Sequence, residues 1–156
     1  TEIYTLSLHD ALPILKGHEY ILERYLKPEL PKTLLENLRK DDIIPTSMCL
    51  LSSGLSNGVL SIAQASGTGA KLFLDKIPIA RETFEFTETE KDLSPIVAAL
   101  NGGDDYEMLF TLPLNSYGEL SKEYNIDIIG HICDASLGYK LVTPEGRELP
   151  LESPGM

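Results

Sequence analysis

Asp104, Asp105 and Glu107 put three carboxylates within four positions, directly after Gly102 and Gly103 in the stretch ALNGGDDYEMLF, residues 99–110. Like charges so close repel one another, so water, a metal, a cation or a ligand has to answer them. Two chemistries suit the pattern. Carboxylates can hold Mg2+, a hard ion that takes oxygen ligands. They can also accept hydrogen bonds from a polar substrate while the glycines let backbone approach it. If Tyr106 to Leu112 is a strand, Asp105 and Glu107 point to the same side, roughly 6–7 Å apart. A solvated acidic turn explains these residues more simply, and spacing alone favours it.

Ser52-Ser53-Gly54 is the second candidate. It follows an apolar run and precedes a helical pattern, so backbone N–H groups there could meet a phosphate. A plain strand-to-helix turn accounts for it equally well. Gly67-Thr68-Gly69 looks like a phosphate loop but follows a helix rather than preceding one, and reads as a helix stop. His131, in IIGHIC, has no Ser or Cys nucleophile identifiable beside it and is expected to be structural or exposed. The three histidines show no HExxH-type spacing. Glu82, Glu85, Glu88 and Glu90 read as a solvated surface.

These residues need elements to position them. Tyr20 to Arg39 reads as a helix interrupted by Pro28 and Pro31. Ser47 to Ser52 suits a short strand, and Leu55, Val59, Ile62 and Ala63 fall at helical spacing. Lys71 to Leu74 suits another strand. Residues 81–92 show weak periodicity and predict an exposed loop or poor helix. Ser94-Pro95 starts a helix that ends at Gly102. Tyr106, Met108, Phe110 and Leu112 alternate as a strand. Asn115 is expected to cap a helix holding Tyr117, Leu120 and Tyr124. Ile126, Ile128 and Ile132 line a further strand. Tyr139 to Leu149 predicts a hairpin around Pro144-Glu145-Gly146, with Arg147 exposed. Alternating helices and strands predict an α/β domain, a sheet with helices packed mainly on one face.

The chain has 156 residues, 13 basic and 24 acidic, for a net charge of −11. That charge argues against non-specific binding to nucleic acid or an anionic membrane surface, but permits metal-bridged contact with phosphates. No apolar run approaches the roughly 20 residues of a membrane helix. Cys49 and Cys133 form no CxxC pair, which disfavours a thiolate zinc site. Two thiols without a secretion signal suggest the cytoplasm. The opening TEIYTLSLHDALPI lacks signal-peptide features. Residues 1–15 are expected to be a foreign or disordered segment, because they look like translated adapter sequence.

The order of the pieces carries a resemblance: an apolar strand, Ser52-Ser53-Gly54-Leu55, a helix, PIVAALNGGDDYEMLF, then IDIIGHI. With YILERYLKPE, PTSM at 45–48 and KIPI at 76–79, this resembles the C-terminal domain of bacterial thiamine-monophosphate kinase, a relative of the aminoimidazole-ribonucleotide synthetases. The resemblance runs from about Gly17 to Gly155. It implies a single synthetase-like domain over 16–156, with ATP, Mg2+ and thiamine monophosphate as ligands of the whole enzyme. It also implies that the N-terminal domain, which carries most metal ligands and the dimer contact, is the missing partner. Transfer of the γ-phosphoryl from ATP to thiamine monophosphate would give thiamine diphosphate.

Carried over by position, Ser52 is the expected nucleotide contact and Asp104 the substrate-binding acid, one methylene shorter than the family's glutamate. Ser53 stands where the family has a metal-binding aspartate and is at most a weak ligand; Leu50 stands at another and offers none. Asp105 and Glu107 are supporting acids. Met156 takes the place of an aromatic that stacks on the thiamine moiety, and methionine lacks a flat face. The resemblance thus implies a domain inactive alone; a degenerate, non-catalytic paralogue that binds a nucleotide, thiamine phosphate or a partner chain is the alternative.

Overall fold

A computed structural model describes residues 19–89, 94–103, 106–116, 124 and 126–153. The N-terminal segment 1–15, the expected helix over Tyr117 and Leu120, and Asp104, Asp105 and Met156 lie outside the described residues.

Two prolines split the first helical pattern as expected, giving α1 (Glu19–Leu26) and α2 (Lys32–Lys40). β1 (Ser47–Leu50) leads through the serine turn into α3 (Leu55–Ser66). α3 stops because Gly67 takes a left-handed conformation, φ 64°, and its N–H closes back on the Gln64 carbonyl at 3.1 Å. Gly67-Thr68-Gly69 is therefore a helix stop running into β2 (Gly69–Phe73). Of the two alternatives for the acidic stretch, the helix is found: α4 (Arg81–Thr89). Arg81 Nε donates to Glu85 Oε1 at 2.7 Å one turn on, and this pair supports a helix whose apolar stripe is faint. α5 (Pro95–Asn101) begins at Ser94-Pro95 and ends at Gly102. β3 (Met108–Thr111), β4 (Gly130–Cys133), β5 (Tyr139–Val142) and β6 (Glu148–Pro150) complete the described strands.

The strands form two sheets. β1 pairs antiparallel with β3, Ser47 opposite Thr111 and Leu50 opposite Met108. The other sheet has the order β4-β2-β5-β6 and is mixed, with β2 parallel to β5 and both outer pairings antiparallel. β5 and β6 are the expected hairpin. α3 packs on both β1 and β2, so one helix ties the two sheets together, and α5 packs on α3. Leu55, Val59, Leu60 and Ala63 of α3 meet Leu72, Leu100 and Leu151 in one buried cluster. Among the described residues, no helix is long and apolar enough to cross a membrane.

Candidate functional site

The antiparallel register fixes what lies beside the serine turn. Running forward off β1 is running backward off β3, so Leu51 comes alongside Tyr106 and Glu107. The Leu51 N–H donates to the Glu107 carbonyl and the Tyr106 N–H donates to the Leu51 carbonyl, each at 2.8 Å. Ser52, Ser53 and Gly54 must then run beside the glycines that precede Tyr106.

They pack closely. Gly54 has φ 87° and ψ 157°, a conformation open essentially to glycine alone. A Cβ there would sit 2.9 Å from the Leu100 carbonyl oxygen and 3.0 Å from that of Gly102. A Cβ on Gly103 would lie 3.2 Å from the Ser52 carbonyl oxygen. The turn and the glycine loop therefore form one edge, built backbone against backbone. Ser52 and Ser53 are exposed on it, while Gly54 and Leu55 are buried.

The acidic loop has a cationic partner. Arg24 of α1 donates from Nη2 to Glu107 Oε1 at 2.7 Å, across 83 positions of chain. Nothing in local spacing links positions 24 and 107, and sequence reasoning missed Arg24. The strand alternation also stops early: Tyr106 has φ 53°, unusual for a bulky residue, and β3 begins only at Met108. Glu107 thus sits at a bend, with its carboxylate toward α1.

Two concavities adjoin this edge. A cleft of about 100 Å³ is lined by Leu50, Ser52, Ser53, Asn57 and Ser61 together with Cys49 and backbone of the turn. Burial pushes the Cys49 thiol above its usual range. A broader groove of about 1490 Å³ is lined by residues of both sheets, Arg24, Leu72, Gly103, Glu107 and His131 among them. His131 is exposed and tilted against Phe73, ring centres 5.6 Å apart. One polar atom near the turn is unanswered: Ser56 is 1 % exposed and its Oγ has no hydrogen-bond partner.

Among the described residues, the side chains in the cleft do not fit a Mg2+ ion. They offer hydroxyls, a thiol, an amide and leucines, whereas protein Mg2+ sites rely on one or two carboxylates. Glu107 does not line the cleft, and its Oε1 accepts from Arg24. Among the described residues there is no group of three His, Cys, Asp or Glu side chains able to hold a metal.

No protein-family model matches the chain. Thiamine-monophosphate kinase of Escherichia coli K12 is 33% identical over 105 residues, 67% of this chain and 30% of that protein. The Methanopyrus kandleri thiamine-monophosphate kinase is 28% identical over 134 residues, 85% of this chain and 41% of that one. The crystal structure of Aquifex aeolicus thiamine monophosphate kinase superposes with a TM-score of 0.68 at 23% identity, covering 99% of this chain and 44% of that chain. AaThiL complexed with AMPPCP and TMP gives the same TM-score and identity over 86% of this chain and 40% of its own. The fold is that of the aminoimidazole-ribonucleotide synthetase-like proteins, a mixed α/β domain. Within that class the domain is thiamine-monophosphate-kinase-like. The chain spans well under half the length of these relatives.

Proposed function

We propose that this chain is the C-terminal-domain portion of a cytoplasmic thiamine-monophosphate kinase, residues 16–156 forming that domain. In the whole enzyme it would present the 52–54 turn and the 102–107 loop to the ATP-dependent phosphorylation of thiamine monophosphate. The observation that carries the reading is the close packing of Gly54 against Leu100 and Gly102. It joins the two most family-like motifs in one edge, and AaThiL, a structural neighbour, is complexed with AMPPCP, an ATP analogue, and TMP.

In this reading Ser52 is the nucleotide contact and Asp104 and Met156 are the substrate-binding positions, with Asp105 and Glu107 in support. Backbone N–H groups at the start of α3 would receive phosphate oxygens. Phosphoryl transfer draws mainly on alignment and charge stabilisation, and a rigid backbone-on-backbone edge is suited to alignment. Mg2+ would supply charge neutralisation in the whole enzyme, from ligands other than the side chains of the cleft.

The chain alone is proposed to be inactive, because the family resemblance assigns most metal ligands and much of the ATP site to an N-terminal domain. The test is thiamine diphosphate formation by the purified chain with ATP and thiamine monophosphate, beside a calorimetric titration with thiamine monophosphate. Binding without turnover is expected; turnover well above a no-protein blank would overturn the proposal of inactivity, and absence of binding would remove the substrate assignment. A second reading, a non-catalytic relative that binds ligand or a partner chain, is favoured by one observation: with Leu50 and Ser53 in place, the described residues lining the cleft include no carboxylate.

A further inference from the structure

Glu107 is held at both ends. Its carboxylate accepts from Arg24 Nη2 at 2.7 Å, and its carbonyl accepts from Leu51 N–H at 2.8 Å. Leu51 immediately precedes Ser52, and Tyr106, whose N–H donates to Leu51, has the strained positive φ. A bulky residue stays in that conformation only when its surroundings over-determine it. The surroundings here are the two hydrogen bonds to Leu51 on one side and the reach of Arg24 from α1 on the other. The sequence adds a reason for a cation: Glu107 follows Asp104 and Asp105, and an isolated run of acids would push the loop toward solvent.

We infer that Arg24 is a positioning residue: acting through Glu107, it holds the loop entering β3 in register against the serine turn, and so keeps the two halves of the edge together. The pair is partly exposed, with side-chain accessibilities of 35% and 60%. Its effect is therefore local and modest, and salt should weaken it. Its relevance to substrate rests on the proposed kinase reading; its effect on the edge does not.

Amide hydrogen exchange on the purified chain separates the two. Arg24→Met and Glu107→Gln should each speed exchange at Leu51 and Tyr106 by up to about five-fold, leaving Ala70 and Leu72 in the far sheet unchanged. The double variant should be no faster than either single one, since both remove the same pair. Arg24→Lys should recover most of the protection, and added salt should speed exchange in the unaltered chain but not in Arg24→Met. Unchanged exchange at Leu51 and Tyr106, additive effects, or acceleration throughout the chain would overturn the inference. A parallel titration with thiamine monophosphate tests the kinase reading separately. If the unaltered chain fails to bind, that reading falls while the exchange data still decide the role of Arg24.

Discussion

Gly54 and Gly138 share an unusual backbone and differ in their surroundings, so replacing each by alanine isolates the contact between the turn and the glycine loop. Gly54 has φ 87° and ψ 157°, and Gly138 φ 67° and ψ −154°. Both conformations are essentially glycine-only, and a side chain there costs about 1–3 kcal/mol. Alanine regains about 0.4–1 kcal/mol by restricting the unfolded chain. Gly138→Ala meets nothing within 4 Å, so its net cost should be about 1–2 kcal/mol. Gly54→Ala meets backbone: the Leu100 oxygen at 2.9 Å, the Gly102 oxygen at 3.0 Å and the Asn101 carbonyl carbon at 3.2 Å. Backbone cannot rotate aside as a side chain can, and overpacking adds about 1–3 kcal/mol. Gly54→Ala should therefore be the worse variant by about 2 kcal/mol, or about 4–8 °C in Tm for a domain of this size. Urea unfolding of both variants reads the difference. Equal destabilisation would mean that the turn does not rest against residues 100–102, and the reasoning would fail.

Ser56→Ala removes a buried hydroxyl without a partner and should stabilise the domain by about 1 kcal/mol in the same assay; a loss of stability would show that the hydroxyl is satisfied. Leu50→Asp combined with Ser53→Asp puts two carboxylates into the cleft and should create a Mg2+-dependent rise in Tm that the unaltered chain lacks; a rise of the same size in the unaltered chain would contradict the poor fit to Mg2+. The hydrogen bond from Lys71 to Glu148 raises the lysine pKa and lowers that of the glutamate. The lysine's contribution is lost as pH rises through its raised value, and the glutamate's as pH falls through its lowered one, leaving a plateau between them. Glu148→Gln should bring the Lys71 titration, followed by NMR, back down; no change would refute the pairing. Cys49, its thiol pushed up by burial, should alkylate more slowly at neutral pH than free cysteine, and equal rates would count against that burial.

The sequence was most legible where one residue type decides the backbone. Pro28 and Pro31 split the first helix, Gly67 ended α3, Ser94-Pro95 opened α5, and the 144–146 turn made a hairpin. It was least legible where long-range contacts override local pattern. The apolar alternation from Tyr106 to Leu112 predicted one straight strand, yet Tyr106 turns left-handed, with its N–H bonded to the Leu51 carbonyl, and β3 starts at Met108. Arg24 lies 83 positions from the carboxylate it meets, and no periodicity encodes such a distance. Apolar surface lies uncovered at Met48 and Leu50, on the strand that runs into the Ser52–Leu55 turn, while Leu55 is buried.

The most direct test is the set of proton–proton NOEs between the two halves of the edge in the free chain. Cross-peaks linking Gly54 to Asn101 and Gly102, and Ser53 to Gly103, are expected from the packing of these backbones. Their absence in a chain whose α3 and β1–β3 resonances are otherwise intact would place the turn and the glycine loop apart, and would leave the proposed site without its frame.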